Sequence, residues 1–384
     1  MTPRILIIAG SDSGGGAGIQ ADIKTVTMLG GHAMTAITAI TAQNTLGVQA
    51  VMPVPTKMVL AQITSCVSDI GVDAVKIGMI GSSETANAVA DWLEDFLGPS
   101  PSGEGRGLRL PIVFDPVMVA TSGDILADTA TIAAFQRLMR IASVVTPNLP
   151  ELEALGGRET VLAHGCALLA KGGHGEGDTL TDRLIGPDGE IAHWSSDRID
   201  TTSTHGTGCT LASAIATFLA EGRSLEASVA SARQFVRLAL RDAPGLGGGH
   251  GPMGHHAVRL DSGPERRLNQ VTLPLGAGSS EFYRTLGLTQ IVATDDGHYA
   301  RFVAPGGATI SIEQGATPTV FFECDDLDAE LARLQAAGLA FDDLPQDQEW
   351  LWREARLSDP AGNTICLYQA GENRRYPPWR LSDA

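Results

Sequence analysis

Over roughly the first 240 residues, short apolar runs alternate with helix-period patterns, and this alternation restricts the fold more than any other feature. The runs are Arg4–Ala9 (RILIIA), His32–Ala42 (HAMTAITAITA), Ala74–Gly78 (AVKIG), Pro111–Asp115 (PIVFD), Ser143–Thr146 and Ala167–Lys171. Their length suits strands. Between them lie helical patterns at Ala17–Leu29, Met58–Ile70, Ser83–Leu97 and Ala127–Arg140; serine and glutamate at the start of the third read as a cap. Strands joined by helical crossovers run parallel, with helices on both faces. The expectation is an α/β fold with a mostly parallel central sheet flanked by helices. Ligands in such sheets gather at the carboxyl ends of the strands. Pro99–Arg109 (PSPSGEGRGLR) reads as a surface loop.

The grammar then changes. Pro244–His256 (PGLGGGHGPMGHH) is glycine-rich, and Arg259–Arg267 is a polar linker. From Leu268 a strand–helix–strands order runs through Gln270–Leu273, Ser280–Leu286, Tyr299–Val303 and Thr309–Glu313. It repeats through Thr319–Glu323, Leu327–Ala337, Ala355–Leu357 and Thr364–Tyr368, a weak internal repeat of about 50 residues. A chain of 384 residues exceeds one ordinary core, so two domains are expected, 1–258 and 259–384.

Bulk properties exclude several classes of function. The net charge of −17 repels phosphate backbones, so nucleic acid is not an expected partner. No apolar run reaches the roughly 18 to 20 residues of a membrane span. The start, MTPRILIIAG, enters a strand without a signal-peptide layout. Cys66, Cys166, Cys209, Cys324 and Cys366 are odd in number, far apart and without a CxxC pair. That argues for reduced thiols in a cytoplasm and against a structural zinc site.

Seven motifs fall at strand ends. Ala9–Thr25 (AGSDSGGGAGIQADIKT) brings glycines, Gly10 among them, that let backbone approach a ligand. No Gly-Lys-Ser/Thr follows, and the spacing is not GxGxxG. Asp22 sits early in the following helix pattern. Gln43 and Asn44 in TAQNTLGVQ offer paired donors and acceptors to a heteroaromatic ring, and Met79 in KIGMIGS can pack on a flat ring. Asp115 in VFDPVM follows a strand and could meet a metal. In TPNLPELEAL two prolines fix the directions of Asn148 and Glu151, whose oxygens suit magnesium or a helix cap. Lys171 in AKGGH is a point charge before glycines, a common phosphate partner. Last, Thr204–Cys209 (THGTGC) opens a helix pattern: Gly206, Thr207, Gly208 and Cys209 would present unpaired N–H groups and the positive end of the dipole to an anion. Taken singly, most of these are as well explained by a turn, a cap or a core side chain.

Their order is more telling. GSDSGGGAGIQADIKT, ITAQNTLGVQ, VKIGMI, DPVM, TPNLPE, KGGH, THGTGCTLASA and GHGPMGHH together resemble the hydroxymethylpyrimidine/phosphomethylpyrimidine kinases of thiamine biosynthesis, over about residues 4–256. The resemblance implies a ribokinase-like fold, ATP and Mg2+ as cofactors, and a small-molecule substrate: 4-amino-5-hydroxymethyl-2-methylpyrimidine, then its monophosphate. It implies that Gly10, Asp22, Gln43 and Met79 line the pyrimidine pocket. Asp115, Asn148, Glu151 and Lys171 would serve nucleotide phosphates and metal, with Asp115 and Glu151 nearest Mg2+. Gly206–Cys209 would form the phosphoryl anion hole. A homodimer is compatible, and a pyridoxal-type kinase is the alternative. Ribokinase relatives usually carry an aspartate base at this helix start; here Cys209 stands there, and the helix end is expected to lower its thiol pKa. His205 reads as a loop residue. The stretch Leu152–Ala170 is shorter than usual in the family, so a flanking helix is expected to be lost.

Ser280–Leu288 (SEFYRTLGL), Pro318–Phe341 and Ser358–Gln369 (SDPAGNTICLYQ) resemble the vicinal oxygen chelate superfamily of glyoxalases and extradiol dioxygenases. That implies a small α+β domain of paired βαβββ modules around a cleft. Gln270, Glu313, Thr319 and Cys366 fall at the four positions that usually ligate metal. Threonine and cysteine are poor ligands there, so a metal-free binding or accessory domain is expected, with a bifunctional protein carrying a glyoxalase- or dioxygenase-like C-terminal activity as the alternative.

Overall fold

The computed structural model describes residues 2–98, 110–118, 127–172, 178–258 and 266–382. The expected loop Pro99–Arg109 and the Gly173-His174 end of the lysine motif lie outside these residues. The chain divides into two compact units, Met1–His256 and Ala257–Ala384.

The first unit is built on a nine-stranded sheet. Its strands are β1 (Arg4–Ser11), β2 (His32–Asn44), β3 (Gly47–Pro53), β4 (Ala74–Ile77), β5 (Ile112–Phe114), β6 (Val144–Val145), β7 (Ala167–Ala170), β8 (Thr179–Gly186) and β9 (Gly189–Asp197). The spatial order is β3-β2-β1-β4-β5-β6-β7-β8-β9. From β2 to β7 every neighbouring pair is parallel. β3, β8 and β9 add antiparallel edges. Ile5–Ile8 of β1 have no exposed surface, as expected of a strand covered on both faces. One layer holds α2 (Thr56–Asp69), α3 (Ser83–Leu97) and α4 (Thr129–Ile141); the other holds α1 (Gly18–Met28), α7 (Thr207–Ala220) and α8 (Leu225–Arg241).

The helix starts obey local rules. Ser82 accepts from the Thr85 N–H, so the predicted serine cap of α3 is present. Asp128 caps α4 in the same way. The crossover from β6 to β7 keeps helical structure in two short pieces, α5 (Leu149–Ala154) and α6 (Gly157–Leu162). The expected loss of a flanking helix is therefore a shortening. Among the described residues no helix is long and apolar enough to cross a membrane.

The second unit has an eight-stranded sheet in the order β11-β12-β13-β10-β14-β17-β16-β15. One module is β10 (Arg267–Pro274), α9 (Ser279–Thr285), β11 (Thr289–Ala293), β12 (Tyr299–Val303) and β13 (Thr309–Glu313). The other is β14 (Thr319–Glu323), α10 (Leu327–Ala336), β15 (Asp343–Asp347), β16 (Arg353–Ser358) and β17 (Thr364–Gln369). Each is a βαβββ unit whose first and last strands pair in parallel. β10 and β14 join the two, antiparallel. Apolar clusters around Phe302 with Tyr283, and around Leu367 with Leu327 and Leu334, lie on the face that α9 and α10 cover. The opposite face combines buried polar side chains, among them Gln270, Thr309 and Glu323, with the cluster of Phe321, Trp352 and Tyr368.

Candidate active site

The strand order of the first unit reverses at β1, which has β2 on one side and β4 on the other. A crevice opens at the carboxyl ends of strands at such a point. Gly10 ends β1 there, and Met79 follows β4. A Cβ on Gly10 would lie 2.7 Å from Met79 Cε, so the glycine makes room for that side chain. Thr38 Oγ1 donates to the Met79 carbonyl at 2.6 Å and fixes the turn.

Further along the sheet, Asp115 follows β5, Thr146 follows β6 and Lys171 follows β7. They form one cluster. Lys171 Nζ lies 3.1 Å from Asp115 Oδ1, which also accepts from Thr146 Oγ1 at 2.9 Å. Burial alone would lower the Lys171 ammonium; Asp115 and Glu151 outweigh it and hold it above its ordinary value. Asn148 and Glu151 form a reciprocal capping box on α5, each side chain accepting from the other's backbone N–H at 2.8 Å. Burial pushes the Glu151 carboxyl up to about 7; Lys171 opposes the shift and Asp115 adds to it. Once Glu151 is ionised, two carboxylates face one ammonium and leave an excess of negative charge. Such a site suits a divalent cation that keeps most of its waters, as magnesium does.

α7 starts against this cluster. A Cβ on Gly208 would stand 3.3 Å from both Asp115 Oδ2 and Lys171 Nζ. Gly206, the N-cap, has φ +84°, and a Cβ there would strike the Gly16 carbonyl oxygen. Thr210 N–H donates to the Gly206 carbonyl at 2.9 Å, the first helical bond. Of the N–H groups before it, Thr207 donates to the Thr204 carbonyl at 3.4 Å, and those of Gly208 and Cys209 belong to the turn that has no helical acceptor. A cation and a helix N-terminus thus converge on one spot, an arrangement that can hold a phosphoryl group.

Two expectations change. The Cys209 thiol is not acidified. Although the residue is partly exposed, protein atoms ring its sulfur; burial pushes the thiol up to about 11, Lys76 works against the shift, and Asp22 and Asp115 add to it. Loss of water, with two carboxylates nearby, sets the direction. Asp22 does not line an open pocket. It is fully buried, 2.8 Å from Lys76 Nζ, and accepts from Ser213 Oγ of α7 at 2.7 Å. Burial works against the Lys76 ammonium, but the Asp22 and Asp115 carboxylates keep it charged. The pair lies between β4, α1 and α7, behind the helix start.

Another pair gave no local signal in the sequence. His205 is buried rather than a free loop residue, and its Nε2 lies 2.9 Å from Asp12 Oδ2. Asp12 also accepts from the amides of Gly14, Gly16 and Ala17. Burial would raise the Asp12 carboxyl; His205 and these amides hold it below the usual carboxylate range. The amide of Gln43 completes the network, 3.3 Å from His205 Nε2 and 3.2 Å from Thr41 Oγ1. Thr41 gives its proton to the Ser11 carbonyl, and His205 gives its own to Asp12. The network ties the glycine loop, β2 and the helix-start loop together. Gly251 accepts from the His205 N–H at 3.1 Å, so the glycine-rich segment after α8 braces the same loop.

In the second unit Gln270, Thr319 and Cys366 are buried and Glu313 is exposed. Register puts the four on one sheet face: Gln270 opposite Thr309 and Phe321, and Cys366 opposite Phe321. The residues do not fit a metal. Cys366 packs with Phe321, Trp352 and Tyr368, burial pushes its thiol far above the ordinary range, and Gln270 Oε1 already accepts from Thr309. Among the described residues no group of three His, Cys, Asp or Glu side chains could hold a metal ion.

Residues 12–254 match the family described as phosphomethylpyrimidine kinase. Residues 276–367 match the glyoxalase/bleomycin resistance protein/dioxygenase superfamily. A hydroxymethylpyrimidine/phosphomethylpyrimidine kinase of Streptomyces coelicolor is 45% identical over 268 residues, 66% of this chain and 94% of that protein. A thiamine biosynthesis multifunctional protein of Corynebacterium efficiens is 39% identical over 272 residues, 67% of this chain and 35% of that protein. The chain thus spans nearly all of the first relative and about a third of the second. Among solved structures, the ADP complex of Bacillus subtilis pyridoxal kinase is 31% identical with a TM-score of 0.59, covering 68% of this chain and all of that one. Pyridoxal kinase of Staphylococcus aureus with AMP-PCP and pyridoxal is 29% identical with a TM-score of 0.58, covering 66% and 94%.

Proposed function

The chain belongs to the phosphomethylpyrimidine kinase family, and on that premise we propose that its first unit phosphorylates 4-amino-5-hydroxymethyl-2-methylpyrimidine and then the monophosphate, using MgATP. The observation that carries this is the meeting of Lys171, Asp115 and the glycine-flanked start of α7 at one point of the crevice. Phosphoryl transfer passes through a loose transition state, so positioning and charge matter more than a strong base. Lys171 and the first amides of α7 would take the charge of the transferring group. Asp115 and Glu151 would hold Mg2+, largely through its waters, and the ion would neutralise nucleotide phosphates. Gly10, Gln43 and Met79 would receive the pyrimidine: a flat apolar contact from methionine, and directed hydrogen bonds from glutamine. Asp22 would act from behind, by fixing Lys76 and α7. Cys209, a neutral thiol at physiological pH, would serve the cradle.

A pyridoxal-type kinase is the second reading, favoured by the pyridoxal kinases among the solved structures of similar fold. Product analysis with MgATP and each alcohol decides between them. Formation of the pyrimidine mono- and diphosphate is expected; a higher kcat/KM for pyridoxal would reverse the assignment. The second unit would be an accessory, metal-free ligand-binding module. A cytoplasmic setting suits five free thiols, and a homodimer in solution is part of this proposal.

A further inference from the structure

The cleft face of the second unit has an occupant supplied by the chain itself. After β17 the chain turns back through Gly371–Arg374 across that face. Arg374 has no exposed surface. Its Nη1 donates to the Gly307 carbonyl at 2.7 Å and lies 3.4 Å from Thr309 Oγ1 and 3.5 Å from the Asn269 carbonyl. Its Nε is 3.3 Å from Glu323 Oε2, within ion-pair distance but outside hydrogen-bond geometry. Thr309 in turn donates to Gln270, one of the four positions where the superfamily resemblance would put a metal ligand. The carboxylate is held in place, since Glu323 also accepts from Asn269 Nδ2 at 2.5 Å and from the Gly371 N–H at 3.1 Å. Arg301 Nη1 donates to the Arg374 carbonyl at 2.9 Å, so the segment is held at backbone as well as side chain.

The guanidinium has acceptors beside it: one carboxylate, two carbonyls and a hydroxyl. Taking a guanidinium and a carboxylate out of water is unfavourable unless geometry and further hydrogen bonds compensate. Here the carbonyls and the hydroxyl gather at Nη1 and the carboxylate lies beside Nε, two separate edges of one planar group, which suits a guanidinium better than a compact ammonium or a metal ion. We infer that this cleft is a recognition site for a planar guanidinium or amidinium cation, filled in this chain by its own Arg374. The inference is independent of the kinase reading of the first unit.

Chemical rescue tests it in the full-length protein. Arg374→Ala takes an ion-pair partner from the buried Glu323 carboxylate and should lower the calorimetric midpoint of the second unit by on the order of 10 °C. Millimolar methylguanidinium should then restore the midpoint saturably in the variant, with little change in the unsubstituted protein. Methylammonium and Mg2+ at matched ionic strength should do much less. Trp352, stacked on Tyr368 and under the Arg301 guanidinium, provides a fluorescence readout of the same cleft. If the alanine variant does not fold, Arg374→Lys keeps the charge without the fork, and its midpoint should still fall clearly below that of the parent. A lysine variant as stable as the parent overturns the inference. So does a folded alanine variant that methylguanidinium leaves unchanged, or that methylammonium or Mg2+ rescues equally.

Discussion

Cys209 and Glu151 show how far environment moves a side chain from its ordinary chemistry. A thiol at a helix start suggests a thiolate, but the sequence near Cys209 does not reveal that Asp22 and Asp115 face it from other elements. With the thiol pushed up to about 11, the Cys209→Ser variant should keep turnover within about threefold, whereas losing a general base lowers rates roughly 10²- to 10⁴-fold. Steady-state kinetics with the pyrimidine alcohol make that comparison, and a hundredfold drop would restore the base role. Glu151 titrates near 7, above the ordinary carboxyl value, because it is buried. A raised carboxyl pKa favours the folded state below about pH 4.5, and that contribution fades as pH rises through about 7. Without nucleotide, the first unit should therefore lose thermal stability between about pH 5 and 8, and Glu151→Gln should flatten that slope. Ionisation of Glu151 over the same range should tighten the apparent Mg2+ affinity in kinase assays, again only while the glutamate is present. His205 was opaque for a simpler reason: its partner Asp12 is 193 residues away in the chain.

Among elements, the parallel strands were legible because burial on both faces gives short unbroken apolar runs, as in Ile5–Ile8. The edge elements were not. β8 and β9 (TLTDRLIG and GEIAHWSSD) are rich in polar residues and exposed or half-buried along most of their length, so they lack the unbroken apolar run that marks a covered strand. β3 hides in a stretch with exposed Val51 and Met52. The start of α7 was legible in its glycines, though not in what each glycine approaches. Gly206 combines φ +84° with a carbonyl of the α1 entry loop where a Cβ would stand. The Gly206→Ala variant should suffer both left-handed strain and displacement of the Gly16 turn, which also holds Asp12. A fall in kcat/KM of roughly 100-fold is expected, with circular dichroism near that of the parent. Alanine tolerated without loss would mean that the cradle does not need this close approach.

At the scale of the whole molecule, two repeats of different period mark two units with separate sheets and separate cores. The change of grammar near residue 244 was visible, and so was the βαβββ repeat. The return of the chain through Gly371–Arg375 was not, since GENRR reads as a polar tail and nothing local shows that Arg374 ends in a cleft. The candidate kinase groups, from Gly10 to Cys209, all belong to Met1–His256, and the closing brace at Gly251 does too. The Streptomyces coelicolor relative is covered over 94% of its length by 66% of this chain. Catalysis should then need nothing beyond the first unit. A chain ending at His256 should retain kcat/KM for the pyrimidine alcohol within about twofold of full length, a difference of less than roughly 0.5 kcal/mol in transition-state stabilisation. Its thermal transition should match the one that MgATP shifts upward in the full chain. Arg374→Ala in the full chain should leave both the kcat/KM and that ATP-sensitive transition unchanged. Loss of turnover on truncation, in a fragment that still unfolds cooperatively, would instead make the second unit part of the catalytic machinery.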